Sequence, residues 1–113
     1  MANHSLKSRK MIYSLLKTGK KCRSGHLTVF YSTAETADPG RYRAAFLVPK
    51  IAGGAVERNR IKRWLREEVR RADMKQKMPD LLALRFNGTA EDVNHQLLSL
   101  ELEKIIGQIK IDG

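Results

Sequence analysis

The chain has 113 residues, with 22 Lys/Arg against 12 Asp/Glu and a formal charge of +10. That length suits one domain, 1–113, with a modest core and ends expected to fray over 1–5 and 111–113. That charge points to an acidic partner such as nucleic acid, anionic lipid or an acidic protein. The single cysteine, Cys22, excludes an intrachain disulfide and suits a reducing cytoplasm. No stretch nears the roughly 20 apolar residues of a membrane span, and MIYSLL is too short and polar for a signal-peptide core.

Taken in chain order, SLKSRKMIYSLLKTGK predicts a short helix, with Leu6, Ile12, Leu15 and Leu16 at helical spacing and Gly19 as its stop. HLTVFYST is β-branched and aromatic and predicts a strand. YSTAET leaves a further strand open, and Pro39-Gly40 marks a turn. RAAFLVPK predicts the next strand, and Pro49, which has no N–H, belongs at its end or on an edge. IAGG is a loop, and a basic helix runs from about Ala55 to Ala72. DLLALRF predicts a third strand and Asn87-Gly88 a turn. Thr89-x-x-Asp92 then resembles a capping box opening a last helix, with Val93, Leu97, Leu98, Leu102, Ile105, Ile106 and Ile109 on one side. The order α-β-β-(β)-α-β-α predicts a small α+β sandwich of helices over a sheet.

Charge is unevenly distributed along this order. Residues 1–34 hold seven Lys/Arg and no acid, and residues 57–77 hold nine Lys/Arg against four acids. Residues 78–113 are net acidic. On a wheel of about 100° per residue, Ile61, Trp64, Leu65, Val69 and Ala72 share one side of the basic helix. Asn59, Lys62, Arg63, Arg66 and Arg70 share the other, with Arg58 and Arg60 flanking them. Four cations and an amide in a stripe make a phosphate-binding footprint, and the N–H groups near Gly53 and Gly54 add to the attraction. A solvated helix surface is the plain alternative. It loses ground because acids avoid the stripe; Glu67 fits ordinary i,i+4 pairs, while Glu68 falls awkwardly in the apolar arc.

Trp64 is assigned to the core rather than to base stacking. Phe30 and Tyr31 point to opposite strand faces; one enters the core, and the other either meets a nucleotide or rests at the surface. His4, His26 and His95 are scattered, and Cys22 with His26 lacks further ligands, so no metal site is expected. Glu67, Glu68, Glu101 and Glu103 are assigned to helix surfaces, and no nucleophile, Walker or dinucleotide motif is visible, so no catalytic residues are assigned.

GGAVERNRIKRWLRE closely resembles the signature of the bacterial ribonuclease P protein component, approximately G-N-A-V-x-R-N-R-h-K-R-x-h-R-E with h apolar. Gly53, Ala55, Val56, Arg58, Asn59, Arg60, Lys62, Arg63, Leu65, Arg66 and Glu67 match, and the resemblance extends over roughly residues 6–109. It implies a fold like the second domain of a small-subunit ribosomal protein, with a left-handed β-α-β crossover. It implies an accessory subunit of a cytoplasmic ribonucleoprotein endoribonuclease, a monomer beside its catalytic RNA with no membrane role. That subunit would bind the catalytic RNA and the 5′ leader of precursor tRNA, leaving hydrolysis to the RNA and its Mg²⁺. It also implies that Lys50 joins the RNA-binding set and that Ile12, Leu16 and Phe30 line a leader cleft.

Several positions depart from the family pattern. Pro49-Lys50-Ile51 stands where Ser-Lys-Lys is favoured, and Gly54 where Asn is usual. Ile12 and Leu16 replace two Phe, Phe30 replaces a Tyr, Glu68 replaces an Ala, and Phe86 replaces an Arg with Arg85 just before it. A ribosomal or other structural RNA-binding protein is the alternative reading, and the Arg58-to-Glu67 pattern is what speaks against it.

Overall fold

The computed structural model describes residues 5–32, 42–75 and 78–109, and the backbone of 36–37. The fraying expected at 1–5 and 111–113 lies outside these except at Ser5, which forms a parallel bridge to Ala44. Helix α1 (Arg9–Thr18) starts where the Ser8 side chain accepts from the Met11 N–H, and ends where the Gly19 N–H reaches the Leu15 carbonyl at 2.9 Å.

The chain then enters a strand that local composition conceals. β1 (Lys20–Ser24) and β2 (Leu27–Tyr31) form an antiparallel hairpin. KKCRS is polar because β1 is a sheet edge, where lysines discourage pairing with another chain. Gly25, in the connecting turn, has φ of 57°, and a Cβ there would collide with the Glu101 carboxylate. β4 (Arg43–Leu47) and β6 (Leu81–Phe86) complete a four-stranded sheet in the order β1-β2-β6-β4. β2 and β6 are antiparallel; β4 and β6 are parallel and adjacent, joined by a crossover through α2 (Ala55–Lys75). Of the further strand left open at YSTAET, and of the turn at Pro39-Gly40, residues 33–35 and 38–41 lie outside the described residues; Thr36 opens β3 (Thr36–Ala37), paired in a separate two-stranded ladder with β5 (Met78–Pro79). The Leu6 N–H donates to the Ala44 carbonyl at 2.9 Å, which ties the chain ahead of α1 to the β4 edge.

The last helix, α3 (His95–Gln108), starts later than the capping-box expectation. Thr89 Oγ1 does bond Asp92 Oδ2 at 3.0 Å, but it stands before a 3₁₀ turn, Ala90–Asp92. The α-helical cap is Asn94, whose side chain accepts from the Leu97 N–H at 2.8 Å. The apolar period beginning at Val93 holds, but the extended backbone at Val93 and Asn94 moves the helix start to His95.

Strand alternation divides the core between the two faces of the sheet. Leu27, Val29, Tyr31, Leu82, Leu84 and Phe86 pack beneath α2 and α3 with Ile61, Leu65, Val69, Leu98, Leu102 and Ile105. Phe30, Ala45 and Ala83 face the other way and pack with Leu6 and Leu15, with Met11, Ile12, Leu16, Leu47 and Leu81 partly buried around them. The fold is therefore an α+β sandwich with α1 on one face of a mixed sheet and α2 and α3 on the other.

Candidate nucleic-acid interface

On α2 the buried residues are Ile61, Leu65, Glu68, Val69 and Asp73. Asn59, Arg63, Arg66 and Arg70 are exposed on the far side, and Lys62 is half-buried at its margin. The stripe read from the sequence thus stands on the surface. Arg66 is also held: its guanidinium lies 5.6 Å from the Phe46 ring centroid, which restricts the side chain before any ligand arrives. Arg60 lies on the α3 side of the stripe, 5.8 Å over the Trp64 ring. Arg58 is half-buried, and its Nε is buried with no hydrogen-bond partner among the described residues. Lys50 is exposed in a 3₁₀ turn, Lys50–Ala52, just before the glycine pair. Gly53, with φ of 151°, turns the chain from that 3₁₀ turn toward α2.

Glu68 is corrected from a surface residue to a buried one, 8% exposed. Its carboxylate accepts from Ser99 Oγ at 2.9 Å and lies 3.0 Å from His95 Nε2 and 3.8 Å from an Arg71 nitrogen. These partners on α2 and α3 explain how a carboxylate fits the apolar arc. Trp64 is half-buried and stacks on His95, with centroids 5.6 Å apart and planes 10° from parallel. It therefore serves the helix–helix seam more than the sheet core. Glu101 is corrected likewise: it is 6% exposed and accepts from the His26 backbone N–H at 2.6 Å, with His26 Nδ1 3.0 Å away. Neither acid was legible locally, because the hydrogen-bonding partners His95, Ser99 and His26 lie 27 to 75 positions away.

The second surface lies on the α1 side of the sheet. Ile12, Leu16 and Phe30 do come together there, in one apolar cluster. Phe30 is not open to a ligand, however: it is 5% exposed, and the Arg85 guanidinium covers its ring at 5.2 Å from the centroid. Tyr31 is buried too, in the opposite core, so both rings of the pair are internal. The register adds Lys21 and Arg23, which the sequence did not single out, and Arg85, named there only as the neighbour of Phe86. Lys21 pairs with Phe30, Arg23 with Thr28, and Thr28 with Arg85, so Lys21, Arg23 and Arg85 share the α1 side. All three are exposed. The signal for Lys21 and Arg23 was the alternation Lys21-Cys22-Arg23, which has meaning only once β1 is known to be a strand.

The two basic surfaces therefore lie on opposite sides of the sheet. Among the described residues, no three His, Cys, Asp or Glu side chains form a group that could hold a metal ion. No described helix is long and apolar enough to cross a membrane.

A family model described as Ribonuclease P matches residues 1–110. The ribonuclease P protein component of Acidothermus cellulolyticus is 41% identical over 56 residues; the match spans 50% of this chain and 46% of that relative, about half its length. The RNase P protein of Staphylococcus aureus superposes with a TM-score of 0.78 at 20% identity, covering 98% of this chain and 99% of that one. The RNase P protein of Thermotoga maritima, solved in complex with 1-(4-fluorophenyl)-2-thiourea, gives 0.73 at 22% identity over 93% and 99%. At these identities the two structures speak for the shared fold.

Proposed function

The chain belongs to the ribonuclease P protein family, and from that premise we propose that it is the protein subunit of a cytoplasmic ribonuclease P, promoting 5′ maturation of precursor tRNA. The observation that carries this reading is the α2 stripe, where Lys62, Arg63, Arg66 and Arg70 share one helix side and Arg63, Arg66 and Arg70 are exposed. A row of fixed cations exchanges condensed counterions for direct phosphate contacts, which gives affinity without base specificity. The stripe would hold the catalytic RNA, joined by Lys50, Arg58, Asn59 and Arg60.

The opposite surface would take the precursor's 5′ leader. Its wall is Ile12 and Leu16, and its exposed cations are Lys21, Arg23 and Arg85. Because Arg85 covers Phe30, the plane offered to a leader base is the guanidinium, with the ring as its support. Arginine planes stack on unpaired bases much as aromatic rings do. In this reading hydrolysis and Mg²⁺ belong to the RNA, and the protein's cations lower the repulsion between two polyanions.

The test is reconstitution of the protein, as a monomer, with its cognate RNA subunit at low Mg²⁺. Precursor-tRNA cleavage should rise on adding protein, and nuclease-free protein alone should leave the precursor intact. Cleavage by the protein without RNA, or no gain over the RNA alone, would overturn the proposal.

A further inference from the structure

Beside the cationic stripe stand two aliphatic side chains that the fold leaves uncovered. Ile51 is 79% exposed and Val56 is 73% exposed, while Ala52 between them is buried. Ile51 belongs to the 3₁₀ turn and Val56 to the first turn of α2, on either side of Gly53-Gly54. Val56 shares the outer surface of α2 with Asn59, Arg60 and Arg63, which lie three, four and seven positions on. Lys50 precedes Ile51 and is itself exposed. The one acid between Lys50 and Arg63 is Glu57, and it turns toward the glycine backbone. Its Cβ and Oε2 lie 3.2 and 2.9 Å from where side-chain carbons on Gly53 and Gly54 would stand.

Two exposed aliphatic residues flanking one glycine pair, with cations before and after them and the one intervening acid turned to the glycines, suit a polyanion that also offers an apolar face. Phosphates give aliphatic carbons nothing. A base-paired helix keeps its bases stacked, whereas an unpaired nucleotide exposes the faces of its base and ribose. We propose that Ile51 and Val56 form an apolar seat for an unstacked nucleotide of the RNA held by the α2 stripe. The proposal rests on the RNA-binding reading of that stripe. It adds that the partner is single-stranded or bulged at this point, while the flanking cations grip its phosphates.

The experiment measures binding of the full chain to the cognate ribonuclease P RNA subunit and to a fully paired RNA duplex, across a NaCl series. The Ile51→Ser/Val56→Ser variant should bind the RNA subunit about tenfold more weakly, as expected when two aliphatic contacts are lost. Its salt slope should not change, because no counterion release is lost. Its affinity for the duplex should also stay the same. Arg63→Ala should weaken binding to both RNAs and make the salt slope shallower by about one unit. Unchanged affinity of the double variant for the RNA subunit, with Arg63→Ala still impaired, would overturn the apolar seat and leave the stripe reading standing. An equal loss on the duplex would overturn the requirement for an unstacked nucleotide. If neither variant loses affinity, both the stripe reading and this proposal fall. Sedimentation supplies the last outcome: a wild-type dimer abolished by the double substitution, with RNA affinity intact, would assign the patch to a second copy.

Discussion

Glu101 accepts a backbone N–H from the β1–β2 turn while sitting almost wholly inside the protein. Removing such an acceptor leaves a buried donor unmet, which costs about 1–3 kcal/mol. Glu101→Ala should lower stability to urea by that order without touching either basic surface. Phe30 and Arg85 should separate in the same way. Phe30→Ala empties a packed position and should cost about 3–5 kcal/mol of stability. Arg85→Ala should leave the melting temperature little changed and weaken binding of leader-bearing precursor relative to leaderless tRNA. Equal loss on both substrates would take Arg85 out of the leader surface. Tyr42 contributes a pH dependence. Burial first, and then the Asp73 carboxylate, raise its phenol above the ordinary 10.0, while Arg70 partly opposes the shift. The folded state thus holds the phenol proton more tightly than the unfolded chain does. That stability is complete below the unfolded value and is lost as pH rises through the folded one. Alkaline unfolding curves should be shallower for Tyr42→Phe than for the wild type.

Helix α2 does two jobs with one period. Its inner side supplies Ile61, Leu65 and Val69 to the core, and its outer side carries the cations. Leu65 is fully buried, so Leu65→Ala should cost about 2–5 kcal/mol of stability, and any fall in RNA affinity should track the unfolded fraction. Arg66→Ala should do the reverse: weaker RNA binding and a salt slope reduced by about one unit, in a protein that still folds. A small stability loss should accompany it, because the contact with Phe46 goes too. Intact RNA affinity in the folded Leu65 variant and an unchanged salt slope in the Arg66 variant would respectively support the assignment of the inner side and remove Arg66 from the interface.

At the scale of the molecule the sheet is a partition. The α2 stripe lies on one side of it, and Lys21, Arg23 and Arg85 lie on the other with α1. Distant sites with no shared partners are energetically additive to within a few tenths of a kcal/mol. A stripe variant and an α1-side variant should therefore combine additively in the free energy of forming the complex with RNA subunit and precursor. Strong non-additivity would mean that one RNA segment wraps both sides.

Several features were readable without coordinates because they are local and periodic. The β-branched and aromatic run in Leu27–Tyr31, the 3.6-residue spacing of Ile61, Leu65 and Val69, and the cations opposed to them depend only on neighbours in the chain. The family's dense signature from Gly53 to Glu67 was equally legible. What tertiary structure decided was everything set by a partner far along the chain. KKCRS is a strand because β2 lends it hydrogen bonds, which its own polar side chains do not announce. Glu68 and Glu101 are buried because α3 brings Ser99 and His95 to the first, and places the second against the His26 backbone. Phe30 is covered because the β2–β6 register sets Arg85 on the same side of the sheet. A side chain's periodic position tells which side of its element it takes; whether that side meets water, a carboxylate or a guanidinium is settled only when the elements pack.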